Sequence, residues 1–301
     1  MEVEEVESPH EAIFFVLAYL PLQELLLMTQ VSKSFRDVVR DDVLVWLNIV
    51  VERPLSLRLT NEILIKIASK AHGMLHSLAL LNCVKITDEG LLNVVNANPL
   101  ITKLYVAGCT GLTPDGVVMA VKTLVAKPTS TTLRRVKMSG LYNMKKEHLW
   151  TLKSCIPIPQ SPPRRKPRFY HKYTSSSYSS INEEDDARPI DVEICPKCKE
   201  VKLVFDCPNE AECKGCFDCI SRCKVCGRCC NSDMDDDEQG DTICNDIVCL
   251  DCWLRLPKCN HCNKPFCPQH ADTQLIHPTS KGFICQICIT NSLAFAFHRL
   301  D

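Results

Sequence analysis

Eighteen of the 21 cysteines in this 301-residue chain fall between Cys195 and Cys288, and their spacing restricts how that third of the chain can fold. They recur as C-x-x-C at Cys195/Cys198, Cys213/Cys216, Cys223/Cys226, Cys249/Cys252, Cys259/Cys262 and Cys285/Cys288. Cys267-Pro-Gln-His270 adds a C-x-x-H pair. A C-x-x-C turn sets two thiolates on one side of a tight knuckle, which covers two corners of a zinc tetrahedron, and two such pairs close a structural site. The spacing predicts several structural Zn2+ sites in series, in a segment that does not fold without metal.

A disulfide framework is the competing reading, and it needs an oxidising compartment. The short apolar run Ala12–Leu20 follows an acidic MEVEEVESPHE, where a secretory signal is basic, and no small-residue cleavage site comes after it. No apolar stretch approaches the roughly 20 residues that span a bilayer. The chain is therefore expected inside the cell, in nucleus, cytoplasm or both, with reduced thiols and no membrane partner. Its length suggests two or three domains. Apolar residues make up 46% of the chain, enough for real cores, and a net charge of −1 implies no global pull towards nucleic acid.

Between residues 8 and 48, Ile13, Val16, Leu17 and Leu20 recur at helical spacing and Pro21 ends that helix. Leu22 to Val31 gives a second apolar helix. Ser32-Lys-Ser-Phe35 opens a third, with Phe35, Val38 and Val39 spaced to face inward, and Trp46 and Leu47 close the unit. About 40 residues bury only a small core, so such a piece leans on a partner. With Pro9, Glu11, Val16, Leu17, Tyr19, Leu20 and Pro21 in register, then Leu25-Leu26, Val31-Ser32-Lys33, Phe35 and Trp46, the stretch resembles an F-box. Ser8 stands where the family opens on Leu, and Ala12 replaces a helix leucine. The resemblance implies docking to Skp1, the adaptor that joins substrate receptors to a cullin ubiquitin ligase. Pro9, Val16, Leu17, Leu20, Pro21 and Leu25 are the expected contacts.

From about residue 55 an internal repeat appears. Leu75, Leu78, Leu80, Cys83, Ile86, Thr87 and Gly90 return 26 residues later as Ile101, Leu104, Val106, Cys109, Leu112, Thr113 and Gly116. A third copy starts at Leu133, Val136 and Met138 and ends near Leu149, and a partial copy, Leu59 to Leu64, precedes the first. The pattern resembles the cysteine-containing leucine-rich repeat: a short parallel strand, a tight turn at the cysteine, then a helix with Thr or Asp as N-cap. Cys83 and Cys109 are then buried and not ligands. The positions beside each strand would line a concave face, where Lys103, Tyr105, Arg135 and Lys137 are the candidate substrate contacts. A solvated face without a ligand is the alternative.

Residues 157 to 193 have the composition of disorder. Their basic cluster Pro163–Arg168 suits a nuclear import signal, a nucleic-acid tail or an ordinary linker charge run. Beyond it, alternating pairs would cross-brace Cys249, Cys252, Cys267 and His270 in one site and Cys259, Cys262, Cys285 and Cys288 in another, an order that resembles RING, PHD or LIM-like modules. Upstream, the expected sets are Cys195, Cys198, Cys216, Cys219 and Cys207, Cys213, Cys223, Cys226. Cys229, Cys230 and Cys244 are left over. His261 and His277 read as surface residues, and Ser232–Glu238 as a solvated loop without the Gly and terminal Glu of a calcium loop. Thiolate-rich ligation without H-E-x-x-H argues for structural, not catalytic, zinc.

The expected fold class is multidomain α+β. A three-helix F-box spans 1–50, a short α/β leucine-rich repeat solenoid 51–156, a disordered linker 157–193 and a zinc-stapled irregular domain 194–301. The order resembles a plant-type Skp1-interacting F-box protein. That resemblance implies a non-catalytic substrate receptor of a Skp1–cullin–F-box ligase, with an unidentified target protein read by the repeats or the zinc domain. Two other readings stand beside it: a chromatin or nucleic-acid binding module tethered to an F-box, and a RING-like ligase acting through the tail. The tail lacks a dense Lys/Arg stripe and carries an acidic loop, so nucleic acid is not the expected partner.

Overall fold

A computed structural model describes residues 12–126, 133–156, 166–175, 188–209, 213–230, 239–268, 270, 275–276 and 283–290. Two compact units emerge. One holds residues 1–165, 187–194 and 200–203; the other holds 166–186, 195–199 and 204–301.

The first unit starts with α1 (Ala12–Leu17), α2 (Leu22–Val31) and α3 (Lys33–Asp41), then a 3-10 turn, Val43–Trp46. Pro21 directly precedes α2, where its missing N–H costs nothing. Ser32 caps α3 by accepting from the Phe35 N–H at 3.2 Å, and Asp42 caps the 3-10 turn through Leu44 at 2.9 Å. Leu17, Leu22, Leu25, Phe35, Val39, Val45 and Trp46 are buried together. The Trp46 indole satisfies its one donor on the Val39 carbonyl at 2.8 Å, and the Lys70 ammonium lies 4.6 Å from its ring centroid.

Strands β1 (Asn48–Val51), β2 (Ser77–Leu80), β3 (Lys103–Tyr105) and β4 (Arg135–Lys137) form one parallel sheet in chain order. Ser77 pairs with Lys103, and Lys103 with Arg135. Each strand is followed by a helix: α4 (Asn61–Ser69), α5 (Asp88–Ala97), α6 (Pro114–Ala126) and α7 (Lys146–Cys155). The repeat positions Leu75, Leu78, Leu80, Cys83, Ile86, Leu91, Ile101, Leu104, Val106, Cys109 and Val117 are all buried. Cys109 accounts for the cysteine of the motif: its buried thiol donates to the carbonyl of Leu80, the last residue of β2, at 3.2 Å, a bond that an apolar residue could not make. The sheet begins at β1, so the strand that closes the helical region is also the first of the array, and one core runs through both.

A ladder at the helix N-termini accounts for the Thr-x-x-Gly spacing. Asn61 Oδ1 accepts from the Thr87 N–H at 3.1 Å. One repeat on, Asp88 accepts from the Thr113 N–H at 2.9 Å and from its hydroxyl at 2.6 Å. Thr113 in turn accepts from the Gly116 N–H at 3.0 Å. A Cβ on Gly116 would lie 2.1 Å from the Asp88 carboxylate, and one on Gly90 would lie 2.1 Å from the Asn61 amide oxygen. Glycine is needed there so that the acceptor of the previous repeat can reach the capping threonine. At the last repeat His148 takes the glycine's place, accepting from the Lys145 N–H at 3.0 Å and reaching Asp115 at 3.2 Å.

Part of the expected linker has structure, and this departs from the compositional reading. The Val136 N–H donates to Pro189 O at 2.7 Å, and Ile190 bridges to Val136 at the β4 edge. The Asp191 carboxylate accepts from the Met138 and Ser139 N–H groups at 2.8 and 2.9 Å. One aspartate thereby supplies the acceptors that a further strand would have provided. The short strands β5 (Glu193–Ile194) and β6 (Val201–Lys202) follow as an antiparallel pair. Residues 157–165 and 176–187, including Pro163, Arg164 and Arg165 of the basic cluster, lie outside the described residues.

The second unit includes helix α8 (Tyr170–Ser175) and the hairpin β7 (Val204–Asp206) with β8 (Lys214–Cys216). Tyr170 packs on Phe205 and Phe217 at 5.2 and 5.1 Å between ring centroids. Then come β9 (Gln239–Gly240) with β10 (Val248–Cys249), α9 (Leu250–Arg255), and β11 (Leu275–Ile276) with β12 (Phe283–Ile284). Its buried clusters consist largely of cysteine with a few residues such as Val204, Val248, Phe266 and Phe283. Cores of that size do not hold a fold by apolar burial, so something else must staple it.

Candidate metal centres and docking face

Five groups of donor atoms converge in the second unit, the atoms of each within 4.8 Å of one another. They are Cys195, Cys198, Cys216, Cys219; Cys223, Cys226, Cys249, Cys252; Cys259, Cys262, Cys285, Cys288; Cys244, Asp246, Cys267, His270; and Cys207, Cys213, Cys229. The first and third are the expected sets. The other two expected partitions are corrected. Cys223/Cys226 close with Cys249/Cys252 and not with Cys207/Cys213, and Cys267/His270 close with Cys244 and Asp246 and not with Cys249/Cys252. Cys229, Cys244 and Asp246 were missed. Cys244-Asn-Asp246 has a single residue between its donors, so it does not read as a knuckle.

The donor sets fit tetrahedral metal. Zn–S bonds of 2.3 Å place tetrahedral sulfurs about 3.8 Å apart. The Sγ–Sγ separations are 3.9 Å for Cys198–Cys216, 3.8 Å for Cys226–Cys249 and 3.9 Å for Cys262–Cys285, far beyond a disulfide bond. All 21 cysteines are thiols and none is joined in a disulfide. Knuckle geometry recurs as well. The residue after the second cysteine folds back to bond the first cysteine's carbonyl: Lys199 to Cys195, Gly227 to Cys223 and Asn263 to Cys259, each at 2.9 Å. All three have positive φ, which Gly and Asn tolerate best. Backbone N–H groups also point at sulfur, from Cys216 to Cys195 at 3.4 Å and from Cys285 to Cys259 at 3.3 Å.

Burial raises the pKa of Cys195, but N–H groups donated by Cys216, Cys198 and Lys197 outweigh it and bring the thiol down to about 6. Cys259 likewise falls to about 6 against its burial, through Cys262, Cys285 and His261. Their neighbours go the other way. Burial and the adjoining thiols push Cys216 and Cys288 up to about 12. One thiolate forms readily in each group, and a full set of thiolates needs a cation among them.

The mixed group is oriented from outside. Asp246 Oδ2 lies 3.0 Å from both Cys267 Sγ and His270 Nδ1, while Oδ1 faces Lys224 Nζ at 3.7 Å. Burial opposes its ionisation, yet Cys267 and Lys224 hold its pKa low. Arg228 pairs with Asp251 at 3.0 Å beside Cys249, the outer-shell arrangement that holds ligands in place. In chain order the groups interlock. Cys244/Asp246 lies between the two pairs of one four-cysteine site, and Cys267/His270 between the two pairs of another. The mixed site is thus cross-braced with both.

At the N-terminal helices, the expected contacts divide. Val16 is 52% exposed, Pro21 is exposed and Leu20 half-buried. Leu17 and Leu25, at 2% and 3%, belong to the unit's own core, which corrects their reading as surface contacts. Pro9 lies outside the described residues. The exposed apolar side chains include Phe15, Tyr19, Leu27, Val31 and Leu44, which periodicity missed because these helices carry apolar residues on more than one face. On the array, Lys103, Tyr105 and Arg135 are half-buried. Lys137 is 8% exposed with its ammonium 4.6 Å from the Tyr105 ring, so it is a packed residue and not an open substrate contact.

Residues 9–52 match the F-box-like family, and residues 191–261 match the family described as At3g27290 F-box protein C-terminal domain. F-box protein SKIP28 of Arabidopsis thaliana is 39% identical, an alignment covering 95% of this chain and 92% of that protein. The chain belongs to the F-box proteins. F-box protein SKIP14 and F-box protein At3g27290, both from Arabidopsis thaliana, are each 34% identical, with 85% and 81% of this F-box protein aligned to 56% and 65% of theirs. The C-terminal match takes in three of the five donor groups whole: the first four-cysteine group, Cys223/Cys226/Cys249/Cys252, and Cys207/Cys213/Cys229. Among the described residues no helix is long and apolar enough to cross a membrane.

Proposed function

We propose that this F-box protein is a non-catalytic substrate receptor of a Skp1–cullin–F-box ubiquitin ligase, working inside the cell in the nucleus, the cytoplasm or both. The observation that carries the reading is the set of exposed apolar side chains on the N-terminal helices. Phe15, Val16, Tyr19, Leu27 and Val31 are 52–87% exposed, although Leu17, Leu25, Phe35 and Trp46 already complete a core. Exposed apolar side chains clustered on short helices mark a surface that a partner covers. Skp1 is that partner, and the cullin is reached through it. The βα array acts as a leucine-rich repeat platform, and the cysteine-rich end is held by structural Zn2+. One of these two regions reads the target. The contribution to catalysis is proximity: the target is held beside a charged conjugating enzyme.

The test is co-purification with Skp1. Val16→Asp together with Tyr19→Asp should abolish capture while leaving the fold intact. Leu17→Asp should unfold the helical region, because it buries a charge in a core. Undiminished capture by a chain lacking Phe15, Val16, Tyr19 and Leu27 would refute the reading. The interlocked metal groups favour one second reading, a RING-like ligase acting through the tail. Ubiquitination by this protein in a system without Skp1 or cullin would establish it.

A further inference from the structure

We propose that Cys207, Cys213 and Cys229 hold a fifth metal ion, a thiophilic divalent cation such as Zn2+, with a fourth donor that is oxygen or nitrogen and with Arg222 as its charge partner. The inference deepens the metal-binding reading of the cysteine-rich end and rests on it. Cys207 follows β7 and Cys213 precedes β8, so the hairpin brings them together. Cys229 arrives through the Arg222↔Cys229 bridge. Cys207 and Cys229 sulfurs are 3.8 Å apart, the edge length of a zinc tetrahedron.

The fourth donor is not a cysteine of this chain. Every other cysteine between Cys195 and Cys288 except Cys230 belongs to another group. Cys230 turns away: its thiol reaches the Arg228 carbonyl at 3.9 Å, and it packs with Cys223 and Cys249. The site is therefore chemically distinct from the four-cysteine sites and from the mixed one.

Arg222 supplies the independent observation. It is fully buried, and Nη2 donates to the Phe205 and Cys213 carbonyls at 3.0 and 3.2 Å. Its Nε and Nη1 have no hydrogen-bond partner among the described residues. A buried guanidinium without an anion is strongly unfavourable. Three thiolates around a divalent cation carry a net charge of −1, which offsets Arg222, and the same cation relieves the repulsion among the thiolates.

Native mass spectrometry of the full chain with zinc is the test. Wild type should carry five ions. Cys229→Ser and Cys213→Ser should each carry four, and Cys230→Ser five. The four retained ions show that the rest of the unit is folded. Arg222→Met should release the fifth ion at chelator concentrations about tenfold lower, as outer-shell substitutions do, with Arg222→Lys closer to wild type. In cadmium NMR the signal lost with Cys229→Ser should belong to the three-sulfur class. Four ions in wild type, five in both Cys213→Ser and Cys229→Ser, loss of an ion with Cys230→Ser, or a four-sulfur signal at this site would each overturn the proposal. A chain that holds five ions yet fails to bind Skp1 would refute the receptor reading and leave this one standing.

Discussion

Gly116→Ala is ordinarily a stabilising change inside a helix, by about 1 kcal/mol. In α6 it should do the opposite. The new Cβ would lie 2.1 Å from the Asp88 carboxylate, which must leave Thr113. Two hydrogen bonds to a charged, half-buried acceptor would go, at 2.9 and 2.6 Å. Discounted for partial exposure, that loss is about 2 kcal/mol, and with the propensity gain subtracted the net destabilisation is about 1 kcal/mol. Asp88→Ala alone should cost about 2 kcal/mol. With Asp88 already truncated there is nothing to displace, so Gly116→Ala should then stabilise by roughly 0.5–1 kcal/mol. The coupling is about 2 kcal/mol, large enough for a double-mutant cycle. Urea denaturation followed by tryptophan fluorescence reads it. Of the chain's three tryptophans only Trp253 is in the second unit, so a Trp253→Phe background confines the signal to the first. A stabilising Gly116→Ala in the Asp88 parent, or additive effects, would refute the ladder as the reason for the Thr-x-x-Gly spacing.

Asp191→Ala should lower the stability of the first unit by about 2–4 kcal/mol, since it strands the buried Met138 and Ser139 N–H groups; hydrogen exchange at those two amides reads it directly. Asp246→Ala should cost the chain one ion by native mass spectrometry and weaken both interlocked neighbours, whereas Asp241→Ala, at an exposed ion pair with Lys264, should leave the count unchanged. Cys195 and Cys259 have folded-state pKa values depressed to about 6, so their contribution is complete above the free-thiol range and is lost as pH falls through about 6. Bound metal extends the thiolate range further down, so ions should stay bound at pH 7 and appear in solution, read by a metallochromic dye, only below about 6.

Much of this architecture is legible in the sequence because its causes are local. Pro21 and Ser32 mark helix boundaries through one missing donor and one capping hydroxyl. The 26-residue return of Leu, Cys, Thr and Gly states a strand, a turn and a helix start within each unit. C-x-x-C places two sulfurs by the geometry of four residues. Helical spacing also put Phe35, Val38 and Val39 inside; Phe35 and Val39 are buried and Val38 is half-buried.

What the tertiary structure alone decided is everything that depends on closure through space. A knuckle offers two corners of a tetrahedron to any other pair, and nothing local says which pair completes it. Cys223/Cys226 therefore reach past Cys244 to Cys249/Cys252, and Asp246 becomes a donor only because the fold brings Cys267 and His270 to it. Leu17 and Val16 are adjacent apolar residues on one short helix, and the neighbouring helices determine that the first is core and the second is exposed. Asp191 lies in a stretch whose composition reads as disorder, yet its carboxylate completes the β4 edge. Sequence sets the donors, caps and apolar positions each segment can offer; packing sets which of them meet, because that depends on distances between segments far apart in the chain.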